Sequence, residues 1–118
     1  MKIIAIVPAR MASSRFPGKP MKPIHGIPMI GHCYIRTSMS KLLTDCYVAT
    51  PDRSIDDYIK SIGGDSVMTS HKHKMCHDRV VEAVLKLETF KISTITTLYL
   101  YLLIVSHQVQ YLAYHLVS

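Results

Sequence analysis

Three cations stand close together on one early loop of the chain: Arg10, Arg15 and Lys19. The loop follows the first apolar run of the sequence, and its prolines and glycine fix its path. Lys22 adds a fourth cation, and the first acidic residue is Asp45. Uncompensated cations on a rigid loop at the carboxyl end of a strand are typical of a seat for an anionic ligand, most simply a polyphosphate.

The side chains of this loop suit phosphate in particular. Arg10 and Arg15 can each direct two N–H donors at phosphate oxygens, and Lys19 offers a compact charge. Ser13 and Ser14 add hydroxyl donors, and the backbone N–H groups can complete the cradle. A solvated basic loop without a ligand is the alternative interpretation.

A second group of ligand-type side chains comprises His71, His73, Cys76 and His77. This composition raises the possibility of zinc. Neighbouring residues on one loop rarely converge on a tetrahedral ion, and the chain has no distant pair of ligands at the usual spacing. We therefore assign no metal ligands from the sequence.

The apolar pattern predicts the elements that position these side chains. Short apolar runs alternate with segments of helical periodicity, which is the order of a parallel α/β sheet with right-handed crossovers. The predicted strands cover residues 2–7, 46–50 and 65–69, and the predicted helices cover residues 28–43, 54–62 and 78–88.

Helix ends and faces follow from the same pattern. Residues 54–57 are typical of a capping box, and Gly63 and Gly64 end that helix. Asp56 and Asp57 are expected in its capping turn, on a solvated face. The residues of the last helix predicted to face inward are Val80, Val81, Val84 and Leu85.

Composition indicates one small soluble domain. The chain has 118 residues, of which 48% are hydrophobic and 19% charged, and its net charge is +6. That charge invites a nucleic-acid hypothesis, but the early cations lie mainly on one loop with few aromatic residues to stack on bases. Three widely spaced cysteines favour a reducing cytoplasm, and the segment before Pro8 is too short for a signal peptide.

The end of the chain has a different character. Residues 92–118 contain no Asp, Glu, Lys or Arg, and they contain no Gly or Pro that would mark turns. We divide the chain into a functional part, residues 1–88, and an atypical tail, residues 89–118, whose preferred explanation is translation out of frame. A buried strand followed by a loose helix, and a membrane anchor, are the second and third explanations.

Several motifs together resemble one enzyme family, the 3-deoxy-manno-octulosonate cytidylyltransferases (CMP-Kdo synthetases). The motifs are Pro8-Ala-Arg10, Ser13-Ser-Arg15, Pro17-Gly-Lys-Pro20, Gly26-Ile-Pro-Met-Ile30 and Val48-Ala-Thr50. The resemblance covers roughly residues 1–88. The acylneuraminate and spore-coat sugar cytidylyltransferases share parts of the first motif and remain an alternative.

The resemblance implies a Rossmann-like parallel sheet of the nucleotide-diphospho-sugar transferase type, here truncated. It implies transfer of CMP from CTP to an acidic sugar with Mg²⁺, in a cytoplasmic enzyme that forms a homodimer in the full-length family and needs neither nucleic acid nor a membrane. Arg10 and Lys19 carry over as catalytic residues that stabilise charge. The positions carried over for substrate binding are Ala9, Arg10, Ser14, Arg15, Lys19, His73 and Arg79.

The chain departs from the family in two places. His73, Asp78 and Arg79 match the second motif of the family, but bulkier residues replace its small Ser-Gly-Thr stretch. The strand ending in Gln-Gly-Asp-Glu-Pro, whose Asp helps to hold magnesium, has no counterpart after Glu88. We therefore expect impaired transfer and residual CTP binding, and a non-catalytic nucleotide- or phosphate-binding fragment is the alternative.

Overall fold

Three parallel strands lie side by side in the computed structural model, which describes residues 2–91, 96–98, 104–106 and 109–117. A 3-10 helix, Lys19–Met21, lies in the loop after the first strand. The strands are β1 (Lys2–Pro8), β2 (Pro23–Ile24), β3 (Ile27–Pro28), β4 (Asp45–Thr50), β5 (Asp65–Met68), β6 (Thr96–Leu98), β7 (Ile104–Ser106) and β8 (Val109–Val117). The helices are α1 (Met29–Ser38), α2 (Arg53–Ser61) and α3 (Cys76–Lys91).

The sheet has the strand order β5-β4-β1-β8-β6. β1 pairs in parallel with β4, Val7 opposite Val48, and β4 pairs in parallel with β5, Val48 opposite Ser66. This confirms the α/β fold predicted from the sequence. Because parallel strands end at one edge of a sheet, the loops after β1, β4 and β5 lie next to one another.

The last strands extend this sheet on its other side. β8 pairs antiparallel with β1, and both β6 and β7 pair with β8. The boundary at residue 88 and the proposed foreign origin of residues 89–118 stay predictions. Within the described part of the chain, no helix is both long enough and apolar enough to span a membrane.

The core lies on both faces of the sheet, because alternate strand residues point to opposite sides. On one face, Val80 and Ala83 of α3 pack on the strands; on the other, Ile30 of α1 and Ile55 and Ile59 of α2 do so. The strand residues facing α3 are Ile4, Ile6, Tyr47 and Ala49, and those facing α1 and α2 are Ala5, Val7, Cys46 and Val48. Each valine or isoleucine side chain buried in this way contributes about 1.5–3 kcal/mol.

Helix α1 is shorter than predicted. It ends at Ser38, five residues before Leu43, and Pro28 precedes it as the N-cap residue. The hydroxyl of Thr37 donates to the Cys33 carbonyl and that of Ser38 to the Ile35 carbonyl, both at 2.8 Å. Hydroxyl groups that bond to the preceding turn slightly destabilise a helix, and this contributes to the early end.

The capping-box prediction for α2 was wrong. The helix begins at Arg53 after the N-cap Asp52, and this start places Asp56 on its inner face, where it is buried. Burial opposes ionisation of Asp56, but hydrogen bonds from Ser66 and Lys60 outweigh it and lower the pKa of the carboxyl group. Of the carboxylates of Asp56 and Asp57, which were both predicted to be solvated, only that of Asp57 is exposed. The predicted helix end is confirmed, since Gly63 has a φ of 77°.

The inner face of helix α3 differs from the predicted one. Val80 is buried and Val84 partly buried, as expected, but Val81 and Leu85 are 49% and 58% exposed. The inner face instead includes Arg79 and Ala83, which are buried and which the apolar pattern did not place there. The observed inner face, residues 79, 80, 83 and 84, is therefore shifted by one residue from the predicted face, residues 80, 81, 84 and 85.

Candidate functional site

The loop after β1, residues 9–22, is named here the basic loop. Its stem is fixed by three hydrogen bonds. The Ala9 N–H donates to the Ala49 carbonyl at 2.9 Å, and the Met11 N–H donates to Asp52 Oδ2 at 2.7 Å. The Gly18 N–H donates back to the Met11 carbonyl at 2.9 Å and closes the loop on itself. Gly18 has a φ of 72°, which favours glycine at this turn.

A cavity of about 500 Å³ lies beside the basic loop. Its described lining residues are Ser13, Arg15, Phe16, Lys19, Lys22, Ile24 and Met29. Three of these residues are cations, one is a hydroxyl donor, and none carries a carboxylate. The 3-10 helix directs this arrangement, because it starts at Lys19, buries Pro20 and ends just before Lys22. The cavity is suited to an anionic ligand.

The structure brings together only some of the predicted binding residues at this cavity. Arg15 and Lys19 line it, whereas Ser14 is exposed outside the lining and Ala9 is buried at the stem of the loop. Arg10 is outside this lining, and its Nη1 donates to the Lys74 carbonyl at 3.1 Å. The predicted contacts of Arg10, Ser14 and Ala9 with a nucleotide stay predictions.

Arg79 organises the loop after β5. This residue is 2% exposed; its Nε donates to Thr69 Oγ1 at 3.2 Å and its Nη2 to the His73 carbonyl at 3.4 Å. Burial lowers the pKa of Arg79, the charge of Arg10 lowers it further, and Asp52 acts in the opposite direction. Charged residues of the loops after β1 and β4 therefore act on this buried arginine.

Glu82 lies one turn along α3 from Arg79, and its carboxylate holds the same loop. Its carboxylate accepts the Ser70 N–H at 3.0 and 3.2 Å, pairs with His73 Nε2, and accepts Lys86 Nζ at 2.8 Å. Burial opposes its ionisation, but the hydrogen bonds from Lys86, Ser70 and His73 prevail and lower the pKa of Glu82 to about 2. Arg79 and Glu82 thus hold one loop with opposite charges.

The predicted residues His73 and Arg79 lie in this network rather than at the cavity beside the basic loop. Their direct contact with a nucleotide stays a prediction. In the part of the chain that the structure describes, no three His, Cys, Asp or Glu side chains converge as metal ligands. His73 is engaged with Glu82 instead.

Sequence reasoning missed Asp52 and Glu82 as residues of the site. Asp52 follows the predicted strand 46–50, and its position at a strand end was the available signal. Glu82 lies three residues after Arg79 and four before Lys86, so the three side chains share one helix face. That spacing indicates a charged cluster, although it does not reveal which loop the cluster holds.

Comparison with known proteins identifies the relatives of this chain. The sequence model of the family described as cytidylyltransferase matches residues 4–103. The 8-amino-3,8-dideoxy-manno-octulosonate cytidylyltransferase of Shewanella piezotolerans is 49% identical over 87 residues, which are 74% of this chain and 36% of that protein. The protein of the same name from Shewanella sp. strain W3-18-1 is 50% identical over 84 residues, 71% of this chain and 34% of its own length.

A solved structure similar to this chain supports the same family. The CMP:2-keto-3-deoxy-manno-octonic acid synthetase, a structure complexed with CTP, superposes with a TM-score of 0.68 at 40% identity. The superposition covers 72% of this chain and 35% of that protein. The chain spans about a third of the length of the curated relatives that it matches.

Proposed function

Because this chain belongs to the cytidylyltransferase family, we propose that its basic loop and the adjacent cavity bind the triphosphate of CTP. The reaction served is transfer of CMP to an acidic eight-carbon sugar, with release of pyrophosphate. The names of the similar proteins support the reaction class, and the CTP in the similar solved structure supports the nucleotide.

The observation that carries the proposal is the convergence of Arg15, Lys19 and Lys22 on one cavity whose described lining lacks a carboxylate. A triphosphate is strongly anionic and needs several cations in a small volume. A hydrogen bond to a charged group contributes about 1.5–3 kcal/mol, so two or three such contacts are enough for micromolar to millimolar binding.

The role of these cations is electrostatic. The sugar hydroxyl oxygen forms a bond to the α-phosphorus and loses its proton to solvent, while the bond from that phosphorus to pyrophosphate breaks and negative charge grows on the departing pyrophosphate. Arg15 and Lys19 at fixed positions stabilise that charge without moving a proton. Arg10, exposed between two loops, has further N–H donors for a phosphate oxygen in addition to its bond to Lys74.

Magnesium is proposed as a partner of the triphosphate from the resemblance alone. The described residues do not by themselves provide a fitting site, because no group of three acidic or other ligand-type side chains is assembled among them. Asp52, the carboxylate at the stem of the basic loop, already accepts the Met11 N–H. Cytoplasmic location and pairing of two full-length copies are likewise proposals.

Calorimetric titration of the 118-residue chain with CTP tests the proposal. The double variant Arg15→Gln/Lys19→Met should bind CTP about a hundred-fold more weakly, because it loses two charged contacts. The control Arg36→Gln/Lys41→Met removes the same charge at exposed positions outside the lining and should bind within about two-fold of the wild type.

Two results would contradict the proposal: a wild-type chain that does not bind CTP, or equal losses in the two double variants. The sugar is tested separately. A pyrophosphate-release assay with CTP compares 3-deoxy-manno-octulosonate with its 8-amino-3,8-dideoxy analogue, the sugar in the names of the similar Shewanella proteins. Release with either sugar supports the transfer reaction, and the faster one identifies the substrate.

A further inference from the structure

Asp52 lies at the stem of the basic loop without lining its cavity. We propose that Asp52 is a positioning residue that fixes this loop for its anionic ligand, an inference that rests on the proposed function. Its Oδ2 accepts the Met11 N–H at 2.7 Å, the shortest of the three hydrogen bonds that fix the stem. Asp52 is itself held, because its N–H donates to Oγ1 of the buried Thr50 at the end of β4.

The direction of the carboxylate supports this role. Asp52 is the N-cap residue of α2, where an aspartate side chain usually accepts an N–H of the first helical turn. Here the side chain makes no such bond and is directed at the loop after β1 instead. The carboxylate therefore holds the basic loop and does not cap the first turn of α2.

Met11 connects Asp52 to the rest of the basic loop through its two backbone hydrogen bonds. Its N–H is bonded to Asp52, and its carbonyl accepts the Gly18 N–H at 2.9 Å. Gly18 directly precedes Lys19, the first residue of the 3-10 helix. Loss of the Asp52 contact therefore releases Met11 from the start of α2. The segment 11–18, still closed by the bond from Gly18 to Met11, can then shift as a unit and carry Arg15 and Lys19 with it.

A carboxylate so near an anion site also has an unfavourable effect. The negative charge of Asp52 acts on Arg79, so it partly cancels the positive potential at the loops after β1 and β5. Positioning strengthens binding of an anion, whereas the negative charge weakens it. The two effects have opposite signs, and substitutions at this residue can separate them.

Three variants of the 118-residue chain make this separation. Asp52→Asn removes the charge but keeps an oxygen acceptor of the same reach, and Asp52→Ala removes both. Asp52→Ser keeps a good N-cap residue for α2 but is too short to reach Met11. Asp57→Ala, at an exposed carboxylate of α2, is the control for loss of one negative charge.

The measurements are calorimetric titration with CTP and with inorganic triphosphate, and amide hydrogen exchange of Met11. We expect Asp52→Ala and Asp52→Ser to bind both ligands about ten-fold more weakly and to exchange the Met11 amide faster. Asp52→Asn should bind at least as tightly as the wild type and retain Met11 protection. Asp57→Ala should match the wild type in both measurements.

Equal CTP affinity in Asp52→Ala and Asp52→Asn overturns the inference, because it leaves only a charge effect. Unchanged Met11 exchange in Asp52→Ala overturns it as well. A wild-type chain that binds neither CTP nor triphosphate refutes the proposed function instead. Met11 exchange is measured without ligand, and it then still decides whether Asp52 holds the loop.

Discussion

The ion pairs of Glu82 predict a measurable dependence of stability on pH. Its pKa falls from 4.5 to about 2 in the folded chain, with a side chain only 23% exposed. A difference of this size corresponds to about 3 kcal/mol. Because the folded pKa is the lower one, this stability is present above pH 4.5 and is lost as the pH falls through about 2. Small domains have only about 5–15 kcal/mol in total, so the term is large.

Urea unfolding of the wild type and of Glu82→Gln, followed by circular dichroism between pH 2 and pH 7, measures this term. Glutamine has nearly the same volume, so packing is preserved while the charge is lost. At pH 6 the variant should be less stable by about 2–3 kcal/mol, and the difference should shrink steadily below pH 4.5. The lowered pKa of Asp56 is common to both proteins and cancels. A difference that stays constant with pH would refute the assignment of this stability to the Glu82 charge.

Two further predictions concern packing and thiol chemistry. Gly64→Ala should destabilise the chain by about 1–3 kcal/mol in urea unfolding, because the added Cβ would lie 2.8 Å from two ring carbons of Tyr34; an unchanged midpoint would contradict this contact. Burial raises the pKa of the Cys46 thiol to about 12, so Cys46 should react with a thiol reagent at pH 8 only on unfolding. Rapid labelling of Cys46 in the folded chain would contradict its burial.

The fold was predictable because its signals are local. The apolar runs at residues 46–50 and 65–69 predicted β4 and β5 to within one residue at each end. Gly63 predicted the end of α2, because a left-handed residue there suits glycine. The start of α2 was not predictable in this way. Residues 54–57 and Asp52 both offer plausible caps, and packing of Asp56 against Ser66 of β5 decides between them.

The candidate site was predictable only where one segment forms it. Arg15 and Lys19 are close in sequence, and they meet at one cavity as expected. Arg10 belongs to the same motif, yet its partner is a carbonyl 64 residues away. The contact of Asp52 with Met11 spans 41 residues. Contacts of this range depend on the order of strands in the sheet, which the local pattern does not encode.

Each acidic residue of the site holds the backbone of one loop at the carboxyl ends of the strands. Asp52 accepts an N–H from the loop after β1, and Glu82 accepts one from the loop after β5. Neither lines the cavity that contains Arg15 and Lys19. Carboxylates that hold loop backbones in place leave the cavity cations free to meet an anion, and they reduce the reorganisation that binding requires. The carboxyl ends of the strands therefore combine loops held by hydrogen bonds with a cavity lined by cations, and under the proposed function this combination favours a triphosphate over a singly charged anion.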